Sequence, residues 1–218
     1  MSAPVDRNDM PVLAVQGLAC RRGERELFRP VDLDVRAGQI VWVRGANGQG
    51  KTTLLRTLAG LCPVETGRIV WAQPRRRVVY LAHANALKDD LSVAEALAFL
   101  LRIGGVRPTA GELSTALEAF AMSGRADAPV RTLSQGQRRR VALARLAHER
   151  EASAWLLDEP FDALDAAGIE SLNALLAAHA RRGGSVVLTS HVPLSIDSPR
   201  PFAVMLEAPL VAVAPAPA

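Results

Sequence analysis

The sequence predicts an α/β fold in which a largely parallel sheet carries helices, with a small antiparallel β layer and a helical subdomain. Three observations predict it. Short apolar runs at residues 40–43, 78–81, 155–157 and 186–188 are separated by helical segments. Residues 31–35 alternate strictly as Val-Asp-Leu-Asp-Val. Ser92, Thr109 and Ser134 each stand three positions before Glu95, Glu112 or Gln137.

Each observation has a physical reading. A short, continuous apolar run suits a parallel strand buried on both faces, and helices between such runs give an α/β layer order. Period-two alternation marks a strand with one wet face. Residues 12–15 form a second such strand, so an antiparallel layer is expected beside the main sheet. A Ser or Thr hydroxyl can accept from a free backbone N–H while Glu or Gln three residues on reaches back, which is the capping-box start of a helix. Residues 84–151 are therefore expected to be mostly helical. Further helices are expected over 52–61 and over 165–182, the latter stopped by Gly183-Gly184. One domain is expected over residues 12–207, with 1–11 and 208–218 as flexible termini.

Composition limits the possibilities. The 218 residues are 49% hydrophobic and 22% charged, enough for one compact core. The net charge of +4 rests almost entirely on Arg, since Lys51 and Lys88 are the only lysines. Such a balance suits a solvated Arg-rich surface, and next an anionic membrane partner. Cys20 and Cys62 form no CxxC pattern, which suits a reducing compartment. The start of the chain has no apolar signal region. No stretch approaches the ~20 apolar residues of a bilayer span. The sequence thus predicts a soluble chain whose membrane work, if any, uses spans supplied by others.

Gly45-Ala-Asn47-Gly48-Gln-Gly50-Lys51-Thr52 matches GxxxxGK[ST] between an expected strand and an expected helix. Glycines let the backbone turn its N–H groups onto phosphate oxygens, and the helix N-terminus adds positive charge. Lys51 can neutralise the terminal phosphates, and the Thr52 hydroxyl can ligate Mg²⁺. A chain of this length meets the pattern by chance on the order of once in a hundred. Further on, the apolar run 155–157 ends in Asp158-Glu159. Ligands of open parallel sheets bind at the strands' carboxyl ends. Asp158 is then placed to bind Mg²⁺ and Glu159 to polarise an attacking water. Alone, an Asp-Glu pair at a strand end is common surface chemistry; after a phosphate loop it is specific.

Leu133-Ser134-Gln-Gly136-Gln137 resembles the LSGGQ signature of ABC ATPases, with Gln135 in place of the first Gly. The order of phosphate loop, signature, Asp-Glu and His191 also resembles that family, over residues 12–206. The resemblance implies a RecA-like P-loop core of ABC type, with ATP and Mg²⁺ as ligands. It implies that Gly45, Asn47, Gly48, Gly50, Lys51, Thr52 and Thr53 cradle phosphates. It also implies that Ser134, Gly136 and Gln137 face a nucleotide held by a second copy, so that a homodimer closes on two ATPs. Ala163-Leu-Asp165 resembles the loop that crosses between copies, and His191 the switch histidine acting beside Glu159. The bland readings, Ser134 as a mere helix cap and His191 as a structural residue, sit alongside these.

Two departures stand out. His83 occupies the place where the family carries Gln, so Mg²⁺ ligation there needs an unprotonated ring nitrogen. Activity is then expected to fall more steeply in acid than in His83→Gln. Where the family carries an aromatic to stack on adenine, this chain has Arg21-Arg22, with Phe28 as a possible substitute. With those departures, the stretches 18–20, 44–48, 80–83, 87–92, 155–161 and 188–194 resemble the haem exporter ATPases of cytochrome c maturation. That resemblance implies a peripheral location on the cytoplasmic face of the bacterial inner membrane, with integral membrane transporter subunits as partners. It implies that ATP hydrolysis drives haem export or release of a haem chaperone. His83, His148, His179 and His191 lack ligand spacing, so haem itself is expected on partners.

Two alternatives remain at this stage: another small ABC exporter, or a soluble ABC-type ATPase acting on DNA or ribosomes. The Arg runs at 75–77, 138–140 and 181–182 make the second imaginable, yet only 4% of residues are aromatic. Few stacking platforms for single strands are available, and no nucleic-acid partner is expected. The runs are read instead as solvated helix and turn faces. A small P-loop kinase leaves the signature and His191 unexplained.

Overall fold

The computed structural model describes residues 10–23, 25–72 and 77–209. The expectations for residues 1–9, 75–76 and 210–218 lie outside these. In chain order the strands are β1 (Leu13–Ala19), β2 (Arg21–Arg22), β3 (Arg25–Glu26), β4 (Val31–Val35), β5 (Ile40–Arg44), β6 (Thr66–Trp71), β7 (Val78–Leu81), β8 (Ala154–Leu157), β9 (Ser185–Thr189) and β10 (Phe202–Met205). The α-helices are α1 (Lys51–Ala59), α2 (Val93–Ile103), α3 (Ala110–Glu118), α4 (Gln135–Ala147) and α5 (Ala166–Arg181).

The main sheet is parallel, in the order β10-β5-β9-β8-β7. Its inner strands β5, β9 and β8 carry apolar residues at successive positions because both faces are covered, whereas the edge strand β10 is mostly exposed. Trp155 and Leu157 of β8 enter a core shared with α2, α4 and α5, while Leu156 enters the core shared with β1 and α1. β9 divides the same way, with Val186 and Leu188 on one side and Val187 on the other. Each fully buried Leu or Val contributes about 1.5–3 kcal/mol.

The second layer is antiparallel, in the order β4-β1-β6. In β4, Leu33 and Val35 are buried while Asp32 and Asp34 are exposed, the arrangement that alternation requires. All three expected capping boxes form, at Ser92–Glu95, Thr109–Glu112 and Ser134–Gln137. Asp165 caps α5 through Gly168 N–H.

The expectation of a solvated face at residues 138–140 fails, most fully at Arg139, since Arg138 and Arg140 are themselves half-buried. Arg139 is 2% exposed, because the turn of α4 that carries it lies against the loops following β7 and β8. At the other end of the chain Arg181 and Arg182 are exposed, as expected. The parallel order has one functional consequence. The carboxyl ends of β5, β7, β8 and β9 line up on one edge, and the segments leaving them carry Lys51, His83, Asp158-Glu159 and His191.

Candidate functional site

β5 runs straight into the loop 45–50, and α1 begins at Lys51. The loop needs left-handed backbone at Gly48 (φ 75°) and Gly50 (φ 89°). At Gly50 a Cβ would also lie 2.8 Å from Leu27 Cβ, so only glycine fits there. Gln49 Oε1 accepts from the Ala46 N–H at 2.6 Å and closes the loop. The Lys51 ammonium donates to Gly45 O at 2.9 Å and Ala46 O at 3.3 Å. It has three protons, so one remains for an anionic ligand.

The Thr52 hydroxyl shares its proton between Asp158 Oδ1 (3.1 Å) and Oδ2 (2.8 Å). Thr189 Oγ1 donates to Asp158 Oδ1 at 3.0 Å. Asp158 is thereby buried but fully oriented. A hydroxyl and a carboxylate, both hard oxygen donors at a helix start beside a phosphate loop, fit Mg²⁺. That ion is usually held by one or two protein oxygens plus phosphates and water.

Glu159 has a positive φ of 44°, unusual for a non-glycine residue. Its peptide N–H donates to Thr189 Oγ1 at 2.9 Å, and its Oε2 accepts from the His191 N–H at 3.0 Å. Its Oε1 is buried without a hydrogen-bond partner, although His191 Nε2 lies 3.4 Å away. A carboxylate with one oxygen anchored and the other uncommitted is suited to accept from a water.

These groups meet in one cleft of about 610 Å³. Asn47, Gly48, Gly50, Lys51, Thr52 and Thr53 line one part, and Glu159 and His191 another. Arg21, Arg22, Leu27 and Arg56 line the remainder. Phe28 is fully buried in the core, so the expectation that it offers an exposed stacking face is corrected. That remainder consists of guanidinium groups and one aliphatic side chain, with no Phe, Trp or Tyr among the lining residues.

His83 does not line this cleft; its Nδ1 lies 3.3 Å from Asp162 Oδ2. Ser134, Gly136, Gln137 and Asp165 line a second cavity of about 440 Å³ together with Arg140 and Ala163. No residue lines both cavities. At Gly136 a Cβ would come within 2.7 Å of Ala163 O, so glycine lets the 163–165 segment lie against the start of α4. The Asp165 carboxylate pairs with Arg140, and that hydrogen bond holds it below the usual carboxylate range.

Sequence reasoning missed one buried and one half-buried cation. Arg139 donates to carbonyl oxygens after both β7 and β8, and burial pushes its guanidinium down from its ordinary value. Arg145 donates to Tyr80 O, and burial pushes it down to about 10. Spacing held a partial signal. Arg139 precedes the buried face Val141, Ala142 and Leu146 on α4 by two, three and seven positions, so it shares part of that helix's inward face.

Comparisons with known proteins agree with this geometry. The family model for ABC transporters matches residues 28–162. This chain belongs to the ABC transporter family. It is 45% identical to the "Cytochrome c biogenesis ATP-binding export protein CcmA" of Albidiferax ferrireducens, covering 87% of this chain and 94% of that one. It is 40% identical to the protein of the same description from Saccharophagus degradans, covering 84% and 89%. The protein so described from Haemophilus influenzae is 43% identical, covering 82% and 88%. Among solved structures, an ABC transporter ATP-binding protein from Pyrococcus furiosus superposes with a TM-score of 0.77 at 25% identity, covering 89% of this chain and 96% of that one. The fold is thus that of the ABC ATPases, and the chain is an ATP-binding, ATP-hydrolysing member of the family. No helix among the described residues is long and apolar enough to cross a membrane.

Proposed function

We propose that this ABC ATPase powers c-type cytochrome biogenesis, coupling ATP turnover to haem export or to release of a haem chaperone. One observation carries the chemistry: Glu159 lines the cleft that Lys51 and the glycine loop also line, with Oε2 held by the His191 N–H and Oε1 left without a hydrogen-bond partner. The cytochrome c assignment is supported by relatives of that description at 38–45% identity over most of the chain.

In this reading the loop 45–50 binds ATP by its phosphates, and Lys51 offsets their charge. Glu159 orients the attacking water and takes up its proton at Oε1, while His191 holds the carboxylate in place. Mg²⁺ supplies charge neutralisation at the phosphates, with Thr52 and Asp158 as its protein holders. Ser134, Gly136 and Gln137 complete the site on a second copy. The separation of the two cavities within one chain supports this division of labour. The chain works as a homodimer, peripheral to the cytoplasmic face of the bacterial inner membrane, on integral membrane subunits that carry the transport path. Haem binds to those partners rather than to this chain. Residues 12–207 form the single ATP-binding domain, with residues 84–151 as its helical subdomain.

Deleting the gene in its native host is expected to abolish covalent haem attachment to c-type cytochromes while b-type haem spectra persist. Restoring the wild-type chain recovers attachment, and Lys51→Ala does not. Normal c-type cytochromes in the deletion strain would overturn the biological assignment without touching the ATPase chemistry. Recovery of integral membrane subunits with the chain from detergent-solubilised membranes is the companion expectation.

A further inference from the structure

Arg139 makes more protein contacts than any role as a solvated helix residue requires. Its Nη2 donates to Asp158 O at 3.0 Å and Glu159 O at 2.6 Å, and its Nε to Pro160 O at 3.2 Å. Its Nη1 donates to Ala82 O at 3.1 Å, His83 O at 3.2 Å and Asn85 Oδ1 at 3.0 Å. None of these six acceptors is a carboxylate. The guanidinium therefore acts as a planar fork for backbone rather than as half of an ion pair.

We propose that Arg139 is a positioning residue for hydrolysis, joining the start of the signature helix to the peptide of Glu159 and to the loop 82–85. The inference rests on Glu159 being the water-polarising group. Glu159 stands in left-handed backbone at φ 44°, which an L-residue keeps only when its surroundings over-determine it. Three contacts do so. Thr189 Oγ1 accepts from its N–H, and its carbonyl oxygen accepts from Arg139 and from the Asp162 N–H at 3.2 Å. With both sides of the residue held, the carboxylate is aimed at His191. The same guanidinium carries the link onward to the 82–85 loop, whose His83 pairs with Asp162. Arg139 lies five residues after the Ser134 cap, so a shift of the signature turn reaches Glu159 through one rigid side chain.

The test is steady-state ATP hydrolysis by the purified full-length chain, with nucleotide affinity measured separately using a fluorescent ATP analogue. Arg139→Lys keeps the positive charge but loses the fork, and is expected to lower kcat about tenfold or more while the analogue Kd changes less than about threefold. Asn85→Ala removes one acceptor on the loop side and leaves the fork in place; kcat is expected to fall about two- to fivefold. Combined with Glu159→Gln, Arg139→Lys is expected to lower the residual turnover no further, because both changes act on the same group. A role confined to folding predicts something else: a lower thermal midpoint, Kd and kcat degraded together, and a further loss in the double variant. That pattern, or an Arg139→Lys enzyme with wild-type kcat, would overturn the proposal. If Arg139→Lys fails to fold, Asn85→Ala decides, and its wild-type kcat would be the overturning result. A wild-type chain without ATP hydrolysis would instead strike at the reading of Glu159 itself.

Discussion

The phosphate cleft and the signature face are built on opposite plans. In the cleft, each important group is bound to another part of the same chain. Thr52 reaches Asp158 across 106 residues, Thr189 holds both Asp158 and Glu159, and His191 holds Glu159. At the signature face, Ser134 is held by its own helix, through the capping box with Gln137 and the Arg138 N–H, and both Ser134 and Gln137 remain beside a separate cavity. The first region is preorganised within one chain. The second is a helix N-terminus with its local needs met and its dipole directed at a separate cavity. The contrast fits the proposal that nucleotide binding needs only one chain whereas turnover needs two.

Breaking the cleft should have the largest effect. Lys51→Ala leaves phosphate charge unneutralised, and kcat/KM is expected to fall about a thousandfold or more, with fluorescent ATP-analogue binding weakened in parallel. Breaking the signature face should separate the two functions. Ser134→Arg is expected to reduce turnover about a hundredfold while analogue affinity changes less than about threefold. Unimpaired turnover in that variant would remove the proposed contact between copies.

A matched pair of caps sharpens the comparison further. Ser134 and Thr109 cap α4 and α3 with the same box geometry. Replacing either by Ala is expected to cost about 1 kcal/mol of stability in chemical denaturation. Only Ser134→Ala is expected to lower kcat. Equal activity in the two variants would reduce Ser134 to a structural cap.

The smallest expected effect is on acid stability. The Glu112 carboxylate accepts from the Thr109 backbone N–H, and this holds its pKa below the ordinary 4.5. A depressed folded-state value means that its contribution is fully present above 4.5 and is lost as pH falls through the lower folded value. Glu112→Gln is therefore expected to flatten the decline of thermal midpoint below about pH 4.5 and to leave turnover unchanged. An unaltered acid limb would show that this cap does not couple to folding.

The sequence made legible what local chemistry specifies. Capping boxes, the glycine loop and the buried strands each carry their signal within a few residues, and each forms where expected. The elements missed depend on distant partners. β10 is four residues long and pairs in parallel with β5, more than 150 positions away, and three of its four residues are exposed. β6 is mostly exposed, so it carries no apolar alternation to read. Arg139 sits in a run of three arginines whose bland reading is solvent. Only the meeting of the 82–85 and 158–160 segments supplies the acceptors that bury it. Phe28 misleads for the converse reason: an aromatic near a base-binding loop is available for stacking only if the core has not taken it. His83 stands at a familiar place in the motif order, yet its exposed ring faces Asp162 rather than the cleft.

The contact between copies is the central claim, and light scattering coupled to gel filtration on Glu159→Gln tests it most directly. With ATP and Mg²⁺ and without turnover, the 23.3 kDa chain is expected to elute at twice its mass, and to return to the single-chain mass when Ser134→Arg is added. A Glu159→Gln chain that binds ATP yet stays at the single-chain mass would contradict the account.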